Sequence, residues 1–287
     1  MFSNLLVVSY ITHDTLESRN LEKSLNMYGY EYLFIGRNEK WKGFIESKIN
    51  RLYNFLSQIK HDLICVIDGY DVICCGPKNE LIEKYNTFNS DIVYGGEKFG
   101  FTYNCTPLRK YKNISFYNVR KYLNGGFCIG KRKKILKLYK WLLDTYHKTG
   151  INDDQKLIGK YANIFGDIKV DLYSKLVFNT ITNFTYYQLK EKRVVALDQT
   201  PCFIHFPSNS SDNFKRYNIF CRLVGNFYPV IKPYKFSLNL FMYARYILLV
   251  FLCLFIFKFK YFVIVLFFSL IILSQKMLIY DLKFIAI

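Results

Sequence analysis

The 287-residue chain has no C-x-x-C pair among its eight cysteines, so no structural zinc site is expected. Eight cysteines in a chain this long do not make a disulfide framework either, and free thiols in a reducing compartment are the expectation. No G-x-G-x-x-G follows the first apolar run, which excludes a Rossmann dehydrogenase, and no G-x-S-x-G occurs, which removes a serine-hydrolase reading. Internal repeats and low-complexity linkers are absent. The opening residues MFSNLLVVS carry no basic n-region and no small-residue cleavage site, so they read as a buried strand and not as a leader. Acidic residues are in short supply, 22 against 40 Lys and Arg, for a net charge of +18. With 51% hydrophobic and 22% charged residues the chain is neither disordered nor collagen-like.

The basic surplus suits anionic partners such as nucleotide phosphates, nucleic acid or a lipid surface. Part of it has a plainer source, because Lys, Asn, Ile, the 25 Tyr and the 27 Phe share A/T-rich codons. No recognised basic motif or zinc finger accompanies the charge, so no nucleic-acid partner is expected.

Apolar runs alternate with helical patterns up to about residue 207. Asn4–Tyr10 reads as a strand buried on both faces. Asp14 is the expected N-cap of the next helix, with Glu17 as its capping-box partner and Gly29 as its stop. Tyr30–Ile35 follows as a strand, Phe44–Ile59 as a helix, Leu63–Ile67 as a strand, Leu81–Tyr85 as a short helix and Asp91–Tyr94 as a strand. Tyr122–Ile129 is another strand, and Lys131–His147 a periodic basic helix. Such alternation predicts an α/β fold with a mostly parallel sheet flanked by helices.

Chemistry concentrates at strand ends. Val66-Ile67-Asp68-Gly69-Tyr70-Asp71 ends a buried strand in two carboxylates, Asp68 and Asp71. Ligands bind at the carboxyl ends of strands in open α/β sheets, and two acids on one tight turn call for a cation. A solvated Asp-Gly turn is the plain alternative. Asn124-Gly125-Gly126 sets a double glycine beside an apolar strand, where a backbone can approach a ligand closely. Asn152-Asp153-Asp154-Gln155 precedes a helix; one residue would cap it, and two acids exceed what a cap requires. His205 ends the late apolar strand Cys202–His205.

In this order these segments resemble the glycosyltransferase domain shared by lysyl hydroxylases and procollagen galactosyl- and glucosyltransferases. The resemblance runs over about residues 4–207 and includes LLVVSYITHD, Trp41-Lys42-Gly43, Lys48, VIDGYDVI, YLNGGFCIG and DDQ. It implies a GT-A fold, Rossmann-related, with manganese or another divalent cation as cofactor and a UDP-sugar as donor. It also implies Asp68, Asp71 and His205 as metal ligands, and Asp153 and Asp154 as the catalytic acids near the transferred sugar. Thr12, Lys48, Asp68, Gly125, Gly126 and Gln155 are implied as donor-binding residues. The implied reaction moves glucose or galactose to a hydroxyl of a protein or glycan, hydroxylysine of a collagen-like protein among them. Three departures stand out. The serine of the family's Asn-Ser-Gly-Gly turn is missing, and Phe101 or Tyr103 stands where a tryptophan is usual. No glycine-rich, lysine-ended turn follows His205, and Lys215 is the candidate substitute. The alternative function is therefore a catalytically degenerate, membrane-anchored protein of the same fold that binds a sugar nucleotide or acts as a scaffold.

The C-terminal region has another character. Residues 208–245 read as a basic connector and 274–287 as a short tail. Between them, YILLVFLCLFIF and YFVIVLFFSLIIL flank Lys258-Phe259-Lys260. Neither run alone reaches the roughly 20 residues that span a bilayer. Together, over 246–273, they predict a membrane anchor, as one span or a hairpin in contact with lipid. Basic residues crowd on its N-terminal side, which predicts a cytoplasmic catalytic domain. The sequons at Asn104, Asn113, Asn183 and Asn209 would then stay unmodified.

Overall fold

The computed structural model describes residues 4–98, 108–114, 119–180, 188–190, 193–207, 217–218 and 220–221. The chain divides into two compact units, Met1–Lys232 and Pro233–Ile287. All described residues belong to the first unit; the expected anchor and tail, Phe101, Tyr103 and Lys215 lie outside them, while Tyr217, Phe220 and Cys221, within the expected connector, are buried with Ile73, Phe178, Ile204 and Phe206. Among the described residues no helix is long and apolar enough to cross a membrane.

The elements run β1 (Leu5–Tyr10), α1 (Leu16–Met27), β2 (Glu31–Ile35), a π-helical turn (Phe44–Ile49) continuing into α2 (Asn50–Gln58), β3 (Leu63–Asp68), β4 (Val72–Cys74) and α3 (Lys78–Asn86). They continue as β5 (Ile92–Glu97), β6 (Tyr122–Lys131), α4 (Arg132–Thr149), α5 (Asp154–Phe165), β7 (Ile168–Asp171), β8 (Val177–Asn179), β9 (Gln188–Lys190), β10 (Arg193–Val195) and β11 (Phe203–His205). The main sheet has the order β2-β1-β3-β6-β5-β7.

Both faces of the sheet are covered at its centre, which is why β1 and β3 are apolar without alternation, while the edge strand β2 alternates. Leu6, Val8, Ile64 and Val66 pack with Leu52 and Leu56 of α2, Leu138 and Leu142 of α4, and Leu157 and Tyr161 of α5. Leu5, Val7, Leu63, Cys65 and Ile67 face the other way, onto Leu21 and Leu25 of α1 and Leu81 of α3. Each such aliphatic side chain, fully buried, contributes about 1.5–3 kcal/mol of transfer free energy.

The sheet is mostly parallel, as expected, and mixed through one strand: β6 runs against the other five. β1 pairs in parallel with β2 and β3, and β5 with β7, but β6 runs antiparallel to both β3 and β5. An apolar run carries no arrow, and the sequence pattern of β6 is the same in either direction. The first cap also differs. Thr15, not Asp14, caps α1, in a reciprocal box with Ser18, while Asp14 pairs with Arg37 at 2.8 Å. The six cysteines of the described residues are free and buried, as expected, and burial pushes each thiol up.

A small second sheet, β4-β11-β8, determines where the late histidine lies. After β3 the Asp68–Asp71 turn carries the chain out of the main sheet into β4. β11 pairs antiparallel with β4, setting His205 opposite Val72, and parallel with β8, setting it opposite Asn179. The Phe206 N–H donates to the Asp71 carbonyl at 2.8 Å, fastening the strand end to the acid turn.

Candidate metal and substrate site

Four strands end in polar residues that gather at one place: Asp68 on β3, Glu97 on β5, Asn179 on β8 and His205 on β11. Asp68 is followed by Gly69, whose bare Cα the fold needs. A Cβ there would lie 2.4 Å from Cγ1 of Ile11 and 2.9 Å from Oγ of Ser9. The turn therefore sits tight on the end of β1 and directs Asp71 back toward Asp68. One ligand atom from each of Asp68, Asp71 and His205 lies within 4.8 Å of the others. His205 Nε2 stands 3.3 Å from Asp71 Oδ2, an ion-pair contact and not a well-formed hydrogen bond, and Asp71 Oδ1 is buried with no hydrogen-bond partner. Unpartnered buried acceptors cost free energy unless a cation serves them, so this donor set, two carboxylates and an imidazole, fits a divalent metal.

Lys48, from the π-helical turn, enters the site from the other side. Its Nζ donates to Asp68 Oδ1 at 2.7 Å and stands 3.5 Å from Asp154 Oδ2. Burial pushes the ammonium down, but Asp68 and Asp154 outweigh it and hold the group above its ordinary value. The two acids part company. Burial raises Asp68, but Lys48 and His205 overcome that and leave it below the usual carboxylate range. Burial prevails at Asp154, which is raised despite Lys48. At His205 burial pushes down, and Asp71, Asp68 and Glu97 together raise it.

Asp153 and Asp154 separate in role as well. Asp153 is the N-cap of α5 and accepts from the Lys156 N–H at 2.9 Å, while Asp154 is buried beside Lys48. Gln155 Oε1 accepts from the Gly125 N–H at 3.0 Å. The two glycines lie inside β6, within the strand expected over Tyr122–Ile129. A Cβ on Gly125 would meet Asp154 at 3.6 Å, but one on Gly126 would meet Cε1 of His205 at 2.2 Å. Gly126 therefore faces the imidazole. Thr12, at the end of β1, is held by Tyr70 of the acid turn, whose hydroxyl accepts from the Thr12 N–H at 2.9 Å. The Trp41-Lys42-Gly43 segment is tied to the acid pair by Asn152, which accepts from the Ile45 N–H at 2.7 Å and donates to the Lys42 carbonyl at 3.0 Å.

Tyr70, Asn179 and Glu97 had no place in the sequence reading. Glu97 ends an apolar strand as Asp68 does, and that shared position was the available signal. Its carboxyl is buried, accepts from Asn124 Nδ2, and is pushed up to about 7 by burial against the pull of Asn124, His205 and Arg120. Below its ordinary 4.5 the folded and unfolded chains both carry this proton, and stability is complete. As pH rises toward 7 only the unfolded chain releases it, and stability declines by about 3 kcal/mol in total. Glu97→Gln in metal-free protein is therefore expected to exceed wild type in stability at pH 8 and to match it near pH 4. Urea melts across that range check the crossover; a constant difference would contradict it.

The model of the PLOD GT domain family matches residues 2–205. Uncharacterized protein R699 of Acanthamoeba polyphaga mimivirus is 31% identical over 153 residues, covering 48% of this chain and 32% of that protein. Procollagen-lysine,2-oxoglutarate 5-dioxygenase 1 of Gallus gallus is 28% identical over 147 residues, or 47% of this chain and 20% of the relative. The Drosophila melanogaster procollagen-lysine,2-oxoglutarate 5-dioxygenase is 28% identical over 178 residues, or 55% and 23%. The chain thus spans a third or less of the length of these relatives. Among solved structures, a glycosyltransferase involved in the glycosylation of the major capsid of PBCV-1 aligns with a TM-score of 0.49 at 12% identity, covering 75% of this chain and 99% of that one.

Proposed function

The chain belongs to the PLOD GT domain family, and from that premise we propose that it is a metal-dependent glycosyltransferase of GT-A type. It takes a hexose, glucose or galactose, from a UDP-sugar and places it on a hydroxyl acceptor. A protein or glycan of collagen-like kind is the acceptor class that the procollagen-lysine relatives suggest. The observation that carries this reading is the meeting of Asp68, Asp71 and His205, with Asp71 Oδ1 and His205 Nε2 buried and making no well-formed hydrogen bond.

Asp68, Asp71 and His205 would hold a manganese ion or similar cation, and such an ion would supply positive charge for a departing diphosphate. The rest falls to the chain. Thr12 and Tyr70 form the nucleotide end of the site, at the carboxyl end of β1. Lys48 holds Asp68 and Asp154 in fixed places and keeps its own charge. Of the two expected catalytic acids, Asp154 is the one placed to take a proton from an acceptor hydroxyl in an inverting reaction, because burial raises its affinity for one. Asp153 is engaged as a helix cap. In a retaining reaction no such base is needed.

Full-length protein is expected to hydrolyse or transfer from UDP-glucose or UDP-galactose only when Mn2+ is present, read by UDP release and by intact mass of acceptor proteins. Binding of both UDP-sugars without turnover would support the degenerate, non-catalytic reading, which the missing glycine-rich turn after His205 favours.

The apolar stretch 246–273 supports a further part of the proposal, a membrane-anchored protein whose catalytic domain faces the cytoplasm. The expressed protein should stay with membranes in alkaline carbonate, and protease should reach its N-terminal unit from the cytoplasmic side. Release by carbonate would remove the anchor, and glycosylation at Asn104 or Asn113 would reverse the orientation.

A further inference from the structure

His205 presents two ring nitrogens, and only one of them faces the acid pair. Nε2 stands 3.3 Å from Asp71 Oδ2, while Nδ1 lies 2.7 Å from Oδ1 of Asn179, directly opposite on the neighbouring strand. The amide of Asn179 has no freedom to turn. Its Nδ2 donates to the Gly96 carbonyl at 2.8 Å. Reversed, the amide would set its oxygen against that carbonyl, acceptor against acceptor, in a buried place where neither could find water. With Nδ2 so engaged, Oδ1 must accept, and the atom available to donate to it is Nδ1 of the imidazole.

We propose that Asn179 is a positioning residue that fixes His205 in the tautomer with its proton on Nδ1, leaving the Nε2 lone pair directed at Asp68 and Asp71. Hydrogen-bonding of the remote nitrogen commonly orients an imidazole ligand and sets which nitrogen binds metal. The surroundings hold Asn179 rigidly. Its backbone carbonyl accepts from Arg120 at 2.7 Å, and the buried guanidinium lies 4.4 Å from the centre of the Phe178 ring. Gly95 leaves room for the amide, since a Cβ there would come within 3.1 Å of Asn179 Nδ2. The backbone of His205 is fixed in turn by Thr180, whose N–H and hydroxyl both donate to its carbonyl, at 2.8 and 3.1 Å. The whole relay runs from the Gly96 carbonyl through one buried amide and one buried imidazole to the partly exposed acid pair. The purpose assigned to Asn179 rests on reading Asp68, Asp71 and His205 as metal ligands; the tautomer itself does not.

The test uses the full chain in detergent with 15N-labelled histidine. The His205 resonances are identified by their loss in His205→Gln. Without metal, at a pH high enough that the His205 15N shifts no longer change and the ring is neutral, wild type is expected to show a protonated Nδ1 and an unprotonated Nε2. Asn179→Ala is expected to show both tautomers, and its Mn2+ affinity, read by electron paramagnetic resonance of the free ion, to fall about 10- to 100-fold. A wild-type imidazole with its proton on Nε2 overturns the proposal even if Asn179→Ala does not fold. Wild-type tautomer and Mn2+ affinity in Asn179→Ala overturn it as well. The expected tautomer in a wild-type protein that binds no Mn2+ defeats instead the metal reading, and with it the purpose assigned to Asn179.

Discussion

Asp71→Ala is expected to lower Mn2+-dependent turnover by about a thousandfold, equivalent to about 4 kcal/mol of transition-state stabilisation. Removing this side chain takes away the only acid in contact with His205 Nε2 among the described contacts. The fold should remain. The Asp71 carbonyl, which anchors β11 through Phe206, persists in alanine, and the Asp71 side chain is only partly buried. Melting temperature, Mn2+ affinity and UDP release, measured side by side, separate the two effects. A folded variant with unchanged turnover would show that Asp71 is no ligand.

Gly126→Ala should be nearly as damaging, through a single methyl group. Its Cβ would lie 2.2 Å from Cε1 and 2.8 Å from Nδ1 and Nε2 of His205. β6 sits between β3 and β5 and cannot retreat, so the imidazole must move. Overpacking of this kind costs about 1–3 kcal/mol of stability. Displacing the ring should reduce Mn2+ affinity at least about 100-fold, beyond what loss of an orienting partner costs. Gly125→Ala is the contrast, because its nearest neighbours, at 3.6 Å and beyond, are at ordinary contact distance. That variant should bind Mn2+ as wild type does. Equal losses in the two variants would mean that the strand, and not the imidazole, responds.

The difference between adjacent glycines illustrates what the sequence conceals. A double glycine beside an apolar run announces a close approach but not what approaches. Here one glycine faces an acid and the other an imidazole from a distant strand. Features set within a few positions were legible: the strand-end placement of Asp68 and Asp71 and the apolar runs of β1 and β3; at Asp153, expected as a catalytic acid, the structure shows the plain alternative, a helix cap. The N-cap at Thr15 was missed because Asp14 and Thr15 are both good caps, and the choice fell to Ser18, which returns a hydrogen bond. The antiparallel course of β6 was missed because hydrophobic pattern has no direction. Asn179 was not legible at all. It acts by facing His205 across a parallel strand pair, and only the register of β8 against β11 brings them together.

That register has a consequence for how the protein is made. The acid pair is synthesised early and the imidazole last, on the central strand of the small sheet. A nascent chain that ends before Phe203 has the carboxylates but neither the imidazole nor the strand that joins β4 to β8. The contacts that complete the site are thus among the longest in sequence separation, the kind that form slowly because loop closure must come first. A cation that needs all three ligands binds the finished domain and not its precursors. At a free concentration 100 times its dissociation constant it would deepen the folded state by about 2.7 kcal/mol. Manganese supply would then set not only how fast the domain works but how much of it survives as folded protein.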